Sequence, residues 1–307
     1  MTQRHEWAVV LAGGEGARLR ALTRLVAGDE RPKQFCRLLG QHTLLASTRQ
    51  RVGLTVNSNR TLYVVSRHHE RFYRTELEAV SSNRLIEQPA SRGTTTAIAY
   101  ALARLATCGK APLVGFFPAD HHYEEPDACR RSISAAFAAA SVDPDRVYLI
   151  GAEPDHPETE YGWIERGEAV PVVPDGAHQV AGFVEKPTEI EAIALMRRRC
   201  LWNTFMLVGQ HHAFVALLEA SRPGLFARCV EATSYRDPLA EAAAMDALYA
   251  DVPVSDFSQD VLTMRPDRLG VITLPAAGWT DLGQPARVLE ALAARGRLRP
   301  VAGLAAS

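Results

Sequence analysis

Six short segments of this 307-residue chain combine tight turns with charged or amide side chains. The first is Leu11-Ala-Gly-Gly-Glu-Gly-Ala-Arg18, directly after the apolar run 7–12. Glycines behind a strand let backbone N–H groups approach a phosphate, and a guanidinium fork matches phosphate oxygens. The same glycines serve equally well in a tight turn with no ligand. Their spacing is not G-x-G-x-x-G and no G-K-[ST] follows, so neither the dinucleotide fingerprint nor the P-loop is present. The second segment, Arg31-Pro-Lys-Gln-Phe35, offers Lys33 as a point charge on a loop stiffened by Pro32, or simply a solvated surface lysine. The third, Gln88-Pro-Ala-Ser-Arg-Gly-Thr94, carries an amide that can read a base edge, or a polar turn with a helix cap.

The fourth segment, Phe117-Pro-Ala-Asp-His121, puts Asp120 at the carboxyl end of a buried strand. Open α/β sheets bind ligands there, and a carboxylate suits Mg²⁺ when phosphates complete its shell. Helix capping is the plainer use of such an Asp. The fifth is Phe183-Val-Glu-Lys-Pro187 followed by Leu201-Trp-Asn203. Glu185, Lys186 and Asn203 have the chemistry to hold sugar hydroxyls and a sugar phosphate, although a Glu-Lys pair at a strand end is more often an exposed ion pair. The sixth, Gly278-Trp-Thr-Asp281-Leu-Gly283, places a second Asp in a glycine-flanked turn.

These segments need a scaffold. Apolar runs at 7–12, 62–65, 84–87 and 113–117 read as strands, joined later by 147–150, 161–165, 180–184 and 269–274. Helical spacing marks 94–105, 131–140, 189–198, 238–248 and 284–295. Strands alternating with helices imply an α/β fold, a mostly parallel sheet covered on both faces. No linker rich in Pro, Ser or Gly splits the chain, so one compact domain with two lobes is expected, and only 301–307 reads as a loose tail.

Composition narrows the function. Lys and Arg total 34 against 35 Asp and Glu, a net charge of −1 that argues against a polybasic nucleic-acid binder. Five cysteines without a C-x-x-C pair exclude a disulfide framework and a zinc ribbon. No signal peptide and no membrane-length apolar run is visible, so a cytoplasmic enzyme of small-molecule metabolism is expected. The His pairs at 68–69, 121–122 and 211–212 are not chelates, because adjacent side chains diverge on strands and helices alike. No G-x-S-x-G elbow supports a hydrolase.

Taken in order, the six segments resemble the sugar-1-phosphate nucleotidyltransferases, and among them most closely the mannose-1-phosphate guanylyltransferases. The resemblance spans roughly residues 7–290 and rests on the ordered set, since each motif alone is weak. It implies a Rossmann-like three-layer α/β/α fold with a mixed, mostly parallel central sheet. It also implies a nucleotide lobe over 1–122, a sugar-phosphate lobe over 123–285, and a closing helix and tail over 286–307. In such an enzyme a sugar phosphate oxygen attacks the α-phosphate of a nucleoside triphosphate and pyrophosphate leaves. By that resemblance Leu11, Ala12, Gly13, Gly14, Glu15, Gly16, Gln88, Arg92, Gly93 and Thr94 would bind the nucleotide, with Gln88 and Gly93 toward the base. Arg18 and Lys33 would neutralise charge on the reacting phosphates. Asp120 and Asp281 would hold Mg²⁺, and Glu185, Lys186 and Asn203 would bind the sugar phosphate.

GTP and mannose 1-phosphate are the favoured substrates on this resemblance. Gln88 stands where the family pattern has Glu, and it fits thymine or uracil as well, so a thymidylyl- or uridylyltransferase acting on a glucose-type phosphate is the alternative. A non-catalytic nucleotide-sugar sensor is the second alternative. The short stretch after Asp281 implies a form without a β-helical or isomerase extension. A homodimer is compatible with the sequence.

Overall fold

The computed structural model describes residues 6–107, 113–173, 176–275 and 277–295. Cys108 and the tail 301–307 lie outside the described residues. In chain order the strands are β1 (Glu6–Ala12), β2 (Thr61–Ser66), β3 (Leu85–Gln88), β4 (Leu113–Pro118), β5 (Val147–Ala152), β6 (Gly162–Ala169), β7 (His178–Glu185), β8 (Leu201–Gln210) and β9 (Leu269–Leu274). The helices are α1 (Arg20–Ala27), α2 (Leu44–Gly53), α3 (Glu70–Tyr73), α4 (Gly93–Ala106), α5 (Pro126–Val142), α6 (Glu189–Arg197), α7 (His211–Ser221), α8 (Leu225–Ala232), α9 (Pro238–Asp251) and α10 (Pro285–Ala294).

One nine-stranded sheet runs in the order β3-β2-β1-β4-β8-β5-β9-β7-β6. Strands β3, β2, β1 and β4 are parallel neighbours. Strand β8 then lies antiparallel between β4 and β5, and β5 pairs in parallel with β9. The β6–β7 hairpin closes the far side, with β6 also touching β8. The sheet is therefore mixed: its parallel character belongs to the first four strands and to the β5–β9 pair. Helices α4, α7, α8 and α9 build one apolar layer with the sheet, while α5 packs on the opposite face. This is a three-layer α/β/α arrangement.

Local sequence explains most elements. In β1 the residues Ala8, Val9 and Val10 are fully buried, as a parallel strand covered on both faces requires. Helix α5 starts at Pro126 and buries Ala128, Cys129, Ser132, Ile133, Ala136, Phe137 and Ala140, a stripe with helical spacing. Helix α6 opens with a reciprocal capping box between Thr188 and Glu191. Several elements carry no such signal and were not expected: α1, α2, α7, α8 and above all β8. That strand is ten residues long and buried on both faces, so it shows no alternation, and it passes straight into α7. Several expected spans are also longer than read: 131–140 lies inside α5, 161–165 overlaps the start of β6, and 180–184 lies inside β7.

Three features set up the cleft. The carboxyl ends of β1, β3 and β4 open on the same edge of the parallel half, where such sheets bind ligands. The β5–β8 ladder changes register between Ile150 and Gly151, so that Ile150 faces Met206 and Gly151 faces Asn203. This irregularity tilts Asn203 toward the cleft, with Phe205 in the left-handed region at φ 57°. Lastly, an antiparallel bridge joins His122 to Thr280, with N–H···O distances of 2.9 and 3.1 Å. Among the described residues no helix is long and apolar enough to cross a membrane.

Candidate active site

A cleft of about 410 Å³ runs between the parallel and antiparallel halves. Of the residues singled out above, Leu11, Gly13, Gly14, Arg18, Gln88, Gly93, Thr94, Asp120, Glu185, Lys186, Asn203 and Asp281 line it. Ala12, Glu15, Gly16, Lys33 and Arg92 do not.

On the parallel side the main chain does the positioning. Gly14 is exposed, lines the cleft and has open space where a Cβ would sit, so the loop is uncovered there. A Cβ on Gly13 would lie 2.3 Å from Gln88 Nε2, so only glycine lets the Gln88 amide fold over this loop. Gly16, at φ 59°, packs instead against the backbone of Pro32 and Lys33. Gln34 holds the two segments together, since its Nε2 donates to the carbonyls of Ala12 (2.9 Å) and Gly14 (2.8 Å). Glu15 turns away toward Arg20 and His69. The buried Gln88 accepts a hydrogen bond from the Tyr249 hydroxyl at 3.1 Å, which orients its amide group. Gly93, at φ 81°, lies so close to Ser255 that a Cβ would meet its carbonyl oxygen at 2.1 Å. Thr94 Oγ1 accepts from the Phe257 amide at 2.7 Å, and Arg92 donates to the Tyr249 carbonyl. Arg92 thus anchors the start of α4 rather than facing the cleft.

Behind the centre of the cleft, buried Lys33 ties the two acidic segments together. Its buried ammonium lies 3.3 Å from Asp120 Oδ2 and donates to the Asp281 carbonyl. The His122–Thr280 bridge is what brings the two acidic segments, far apart in sequence, side by side. Asp281 Oδ1 accepts from Tyr161 Oη (3.0 Å), the Gly283 amide (2.7 Å) and Arg287 Nη1 (2.7 Å). Burial pushes the Asp281 carboxyl up, but Lys33, His121 and Arg287 outweigh it and hold it below its ordinary value. His121 lines the same wall; burial lowers its pKa to about 4, so it is neutral at pH 7. Among the described residues no group of three or more His, Cys, Asp or Glu side chains converges as a complete metal site. Two carboxylates are nonetheless a fitting donor set for a hard cation that takes its remaining ligands from phosphates and water.

On the antiparallel side, side chains position one another. Arg18 reaches across the mouth to Glu160 at 2.6 Å. Glu185 is nearly buried and sits 3.7 Å from Lys186 Nζ. Burial and the nearby Asp256 push its pKa up to about 7, against the pull of Lys186. A Cβ on Gly162 would meet Glu185 Oε2 at 2.6 Å, so this glycine makes room for the carboxyl. Asn203 Oδ1 accepts from the Phe205 amide at 3.0 Å, leaving Nδ2 toward Ser258 at 3.4 Å. Lys186, Phe205 and Leu282 all have positive φ without being glycine, a concentration of backbone strain that marks functional sites. Tyr161 and Trp279, with ring centroids 4.9 Å apart, form an aromatic wall.

Residues 7–296 match the family model described as nucleotidyl transferase. The chain belongs to the nucleotidyl transferase family. It is 31% identical over 280 residues to the alginate biosynthesis protein AlgA of Pseudomonas fluorescens, covering 90% of this chain and 56% of that protein. It is 32% identical over 291 residues to mannose-1-phosphate guanylyltransferase ManC of Salmonella typhimurium, covering 92% and 58%. The nucleotidyl transferase chain thus spans little more than half the length of these curated relatives. Among solved structures it matches one described as a mannose-1-phosphate geranyltransferase from Thermus thermophilus, with a TM-score of 0.77 and 28% identity over 91% of this chain and 76% of that one.

Several cleft residues were not singled out from the sequence: Glu160, Tyr161, Asp256, Ser258, Phe205 and Trp279 line it, and Gln34, Tyr249 and Arg287 support it. Tyr161 and Trp279 fall inside segments already read for other reasons. Asp256 and Tyr249 lie far from any motif, and only folding brings Asp256 to the cleft wall and Tyr249 to Gln88.

Proposed function

We propose that this chain transfers a nucleotidyl group from a nucleoside triphosphate to a sugar 1-phosphate, with GTP and mannose 1-phosphate as the favoured pair and Mg²⁺ as the cation. The observation that carries the reading is the convergence of Asp120 and Asp281, tied together from behind by Lys33, between an open glycine loop and the Glu185–Lys186–Asn203 group in one cleft. On this reading residues 1–122 would supply most of the nucleotide contacts and 123–285 most of the sugar-phosphate contacts, with Tyr249 crossing over to orient Gln88.

The amides around Gly14 would receive the triphosphate, and Arg18 would leave Glu160 for a phosphate of higher charge density. Gln88, oriented by Tyr249, would meet the base, and the buried Glu185 would accept sugar hydroxyls. Lys186 would hold the sugar phosphate. A sugar phosphate oxygen then forms a bond to the α-phosphorus as the bond to the bridging oxygen of pyrophosphate breaks. The attacking oxygen is already ionised, so no general base is required. Lys33, held against Asp120 and the Asp281 carbonyl, would add fixed positive charge beside that exchange and so lower the barrier. When bound by Asp120 and Asp281, Mg²⁺ would supply charge neutralisation at the phosphates.

Purified protein incubated with each nucleoside triphosphate and a panel of sugar 1-phosphates, scored by pyrophosphate release, tests this. Turnover with GTP and mannose 1-phosphate is expected. Turnover with dTTP or UTP but not GTP would replace the guanine assignment, and binding without turnover over the whole panel would replace the enzyme with a sensor.

A further inference from the structure

The closing helix α10 contributes more to the cleft than packing. Its Val288 and Ala291 sit in one apolar cluster with Leu19, Leu38, Leu39 and Leu44 of the nucleotide side. One residue earlier, Arg287 points the other way and is 10% exposed at its side chain. Its Nη1 donates to Asp281 Oδ1 at 2.7 Å and its Nη2 to Glu158 Oε2 at 2.6 Å. The guanidinium also lies over the Tyr161 ring, 4.5 Å from its centroid.

The consequence falls on Asp281. Its Oδ1 takes three donors, from Tyr161, Gly283 and Arg287, while among the described residues no hydrogen bond reaches Oδ2. Gly283 keeps that oxygen uncovered, because a Cβ there would lie 2.4 Å from Oδ2. A carboxylate with one oxygen saturated and one bare is held to a single orientation and offers a single ligand atom. Arg287 cannot swing away, because Glu158 grips its other end. Glu158 is itself fixed: its Oε1 accepts from the Glu160 amide at 2.8 Å and its carbonyl from Trp163 Nε1 at 2.8 Å.

We propose that Arg287, clamped by Glu158, is the positioning residue that turns Asp281 so that Oδ2 alone faces the cation and the reacting phosphates. It touches neither substrate nor cation and acts through Asp281. The inference rests on reading Asp281 as a cation ligand, and it adds to that reading the part of the chain that enforces its geometry. It also gives α10 a role in the reaction, as the element joining the nucleotide side to the acidic centre.

The test uses the full chain and Mn²⁺ as probe, titrated into the protein and followed by the EPR signal of the free ion, with circular dichroism to establish folding. Wild type is expected to bind Mn²⁺ at a site that Asp281→Asn removes. Arg287→Gln is expected to weaken that site about tenfold or more, and Arg287→Lys to weaken it less, because one ammonium contact replaces a fork. In turnover the same variants should need more Mg²⁺ for half-maximal rate and lose kcat, with the KM for sugar phosphate little changed. Mn²⁺ binding by Arg287→Gln equal to wild type, while Asp281→Asn has lost it, overturns the positioning role alone. A wild type with no Mn²⁺ site sensitive to Asp281 overturns the cation reading and this inference with it. Should the Arg287 variants not fold, Glu158→Gln decides: it leaves the arginine on Asp281 but loosens its other end. A Mn²⁺ affinity reduced severalfold supports the clamp, and an unchanged affinity overturns it.

Discussion

The two halves of the cleft are made in different ways. On the parallel side, β1, β3 and β4 end together, and glycines or a buried amide bring main chain close to main chain. Gln34 donating to two loop carbonyls is typical of that side. On the antiparallel side, charged side chains from separate segments hold one another: Arg18 with Glu160, Glu185 with Lys186, and Arg287 with both Glu158 and Asp281. Backbone positioning is rigid and intolerant of any added atom. Side-chain positioning is adjustable and sensitive to charge. On the proposed function, the first would suit a part common to nucleotides, the phosphates, and the second a part that varies, the sugar.

The largest effect tests the seam where the halves meet. On the proposed reaction, Asp120→Asn and Asp281→Asn should each lower kcat by about two orders of magnitude or more, since each would remove a carboxylate that holds the cation. Steady-state kinetics on folded variants measure this, and near-normal turnover would remove that Asp from the site. The backbone-built half should fail by steric strain: Gly93→Ala should destabilise the fold by about 3 kcal/mol, because a positive φ and a collision with the Ser255 carbonyl act together. Urea unfolding checks it, and a loss below about 1 kcal/mol would mean the segments separate freely.

The charge-built half should respond to pH. Glu185 titrates at about 7 in the fold against an ordinary value of 4.5, so the folded state holds its proton more tightly than the unfolded chain. The contribution of Glu185 to stability is therefore full below the unfolded value and is lost as pH rises toward 7, by an amount on the order of 3 kcal/mol at most. Glu185→Gln should flatten that slope in thermal melts between pH 5 and 8 while weakening sugar-phosphate binding at pH 8. An unchanged slope would show that Glu185 is not the group responsible. The smallest effect belongs to the exposed Arg18–Glu160 pair: Glu160→Gln should change stability by less than about 1 kcal/mol. The same change should tighten triphosphate binding severalfold by freeing Arg18, as read by calorimetry.

Legibility follows the same division. The strand β1, the glycine turn behind it, and Asp120 at the end of β4 were readable because each is a local pattern with a local cause. The antiparallel β8 was not, since a strand buried on both faces has no period to detect. Gly16, Glu15 and Arg92 carry the right residue types in the right segments, yet the fold turns them to Pro32, His69 and Tyr249. Arg287 stood in plain view within the closing helix, but nothing in its spacing tells that its partners are Glu158 and Asp281.

The linear order of residues dictates the kinds of groups at the site and the local turns that present them, because propensity, glycine freedom and strand burial act over a few residues. Which of those groups share a cleft is settled by the folded chain. The His122–Thr280 bridge, the register change in β8 and the packing of α10 against Leu19 and Leu38 are contacts between residues far apart in the chain. Such contacts are set by the summed packing of the whole core, and no window along the sequence contains them.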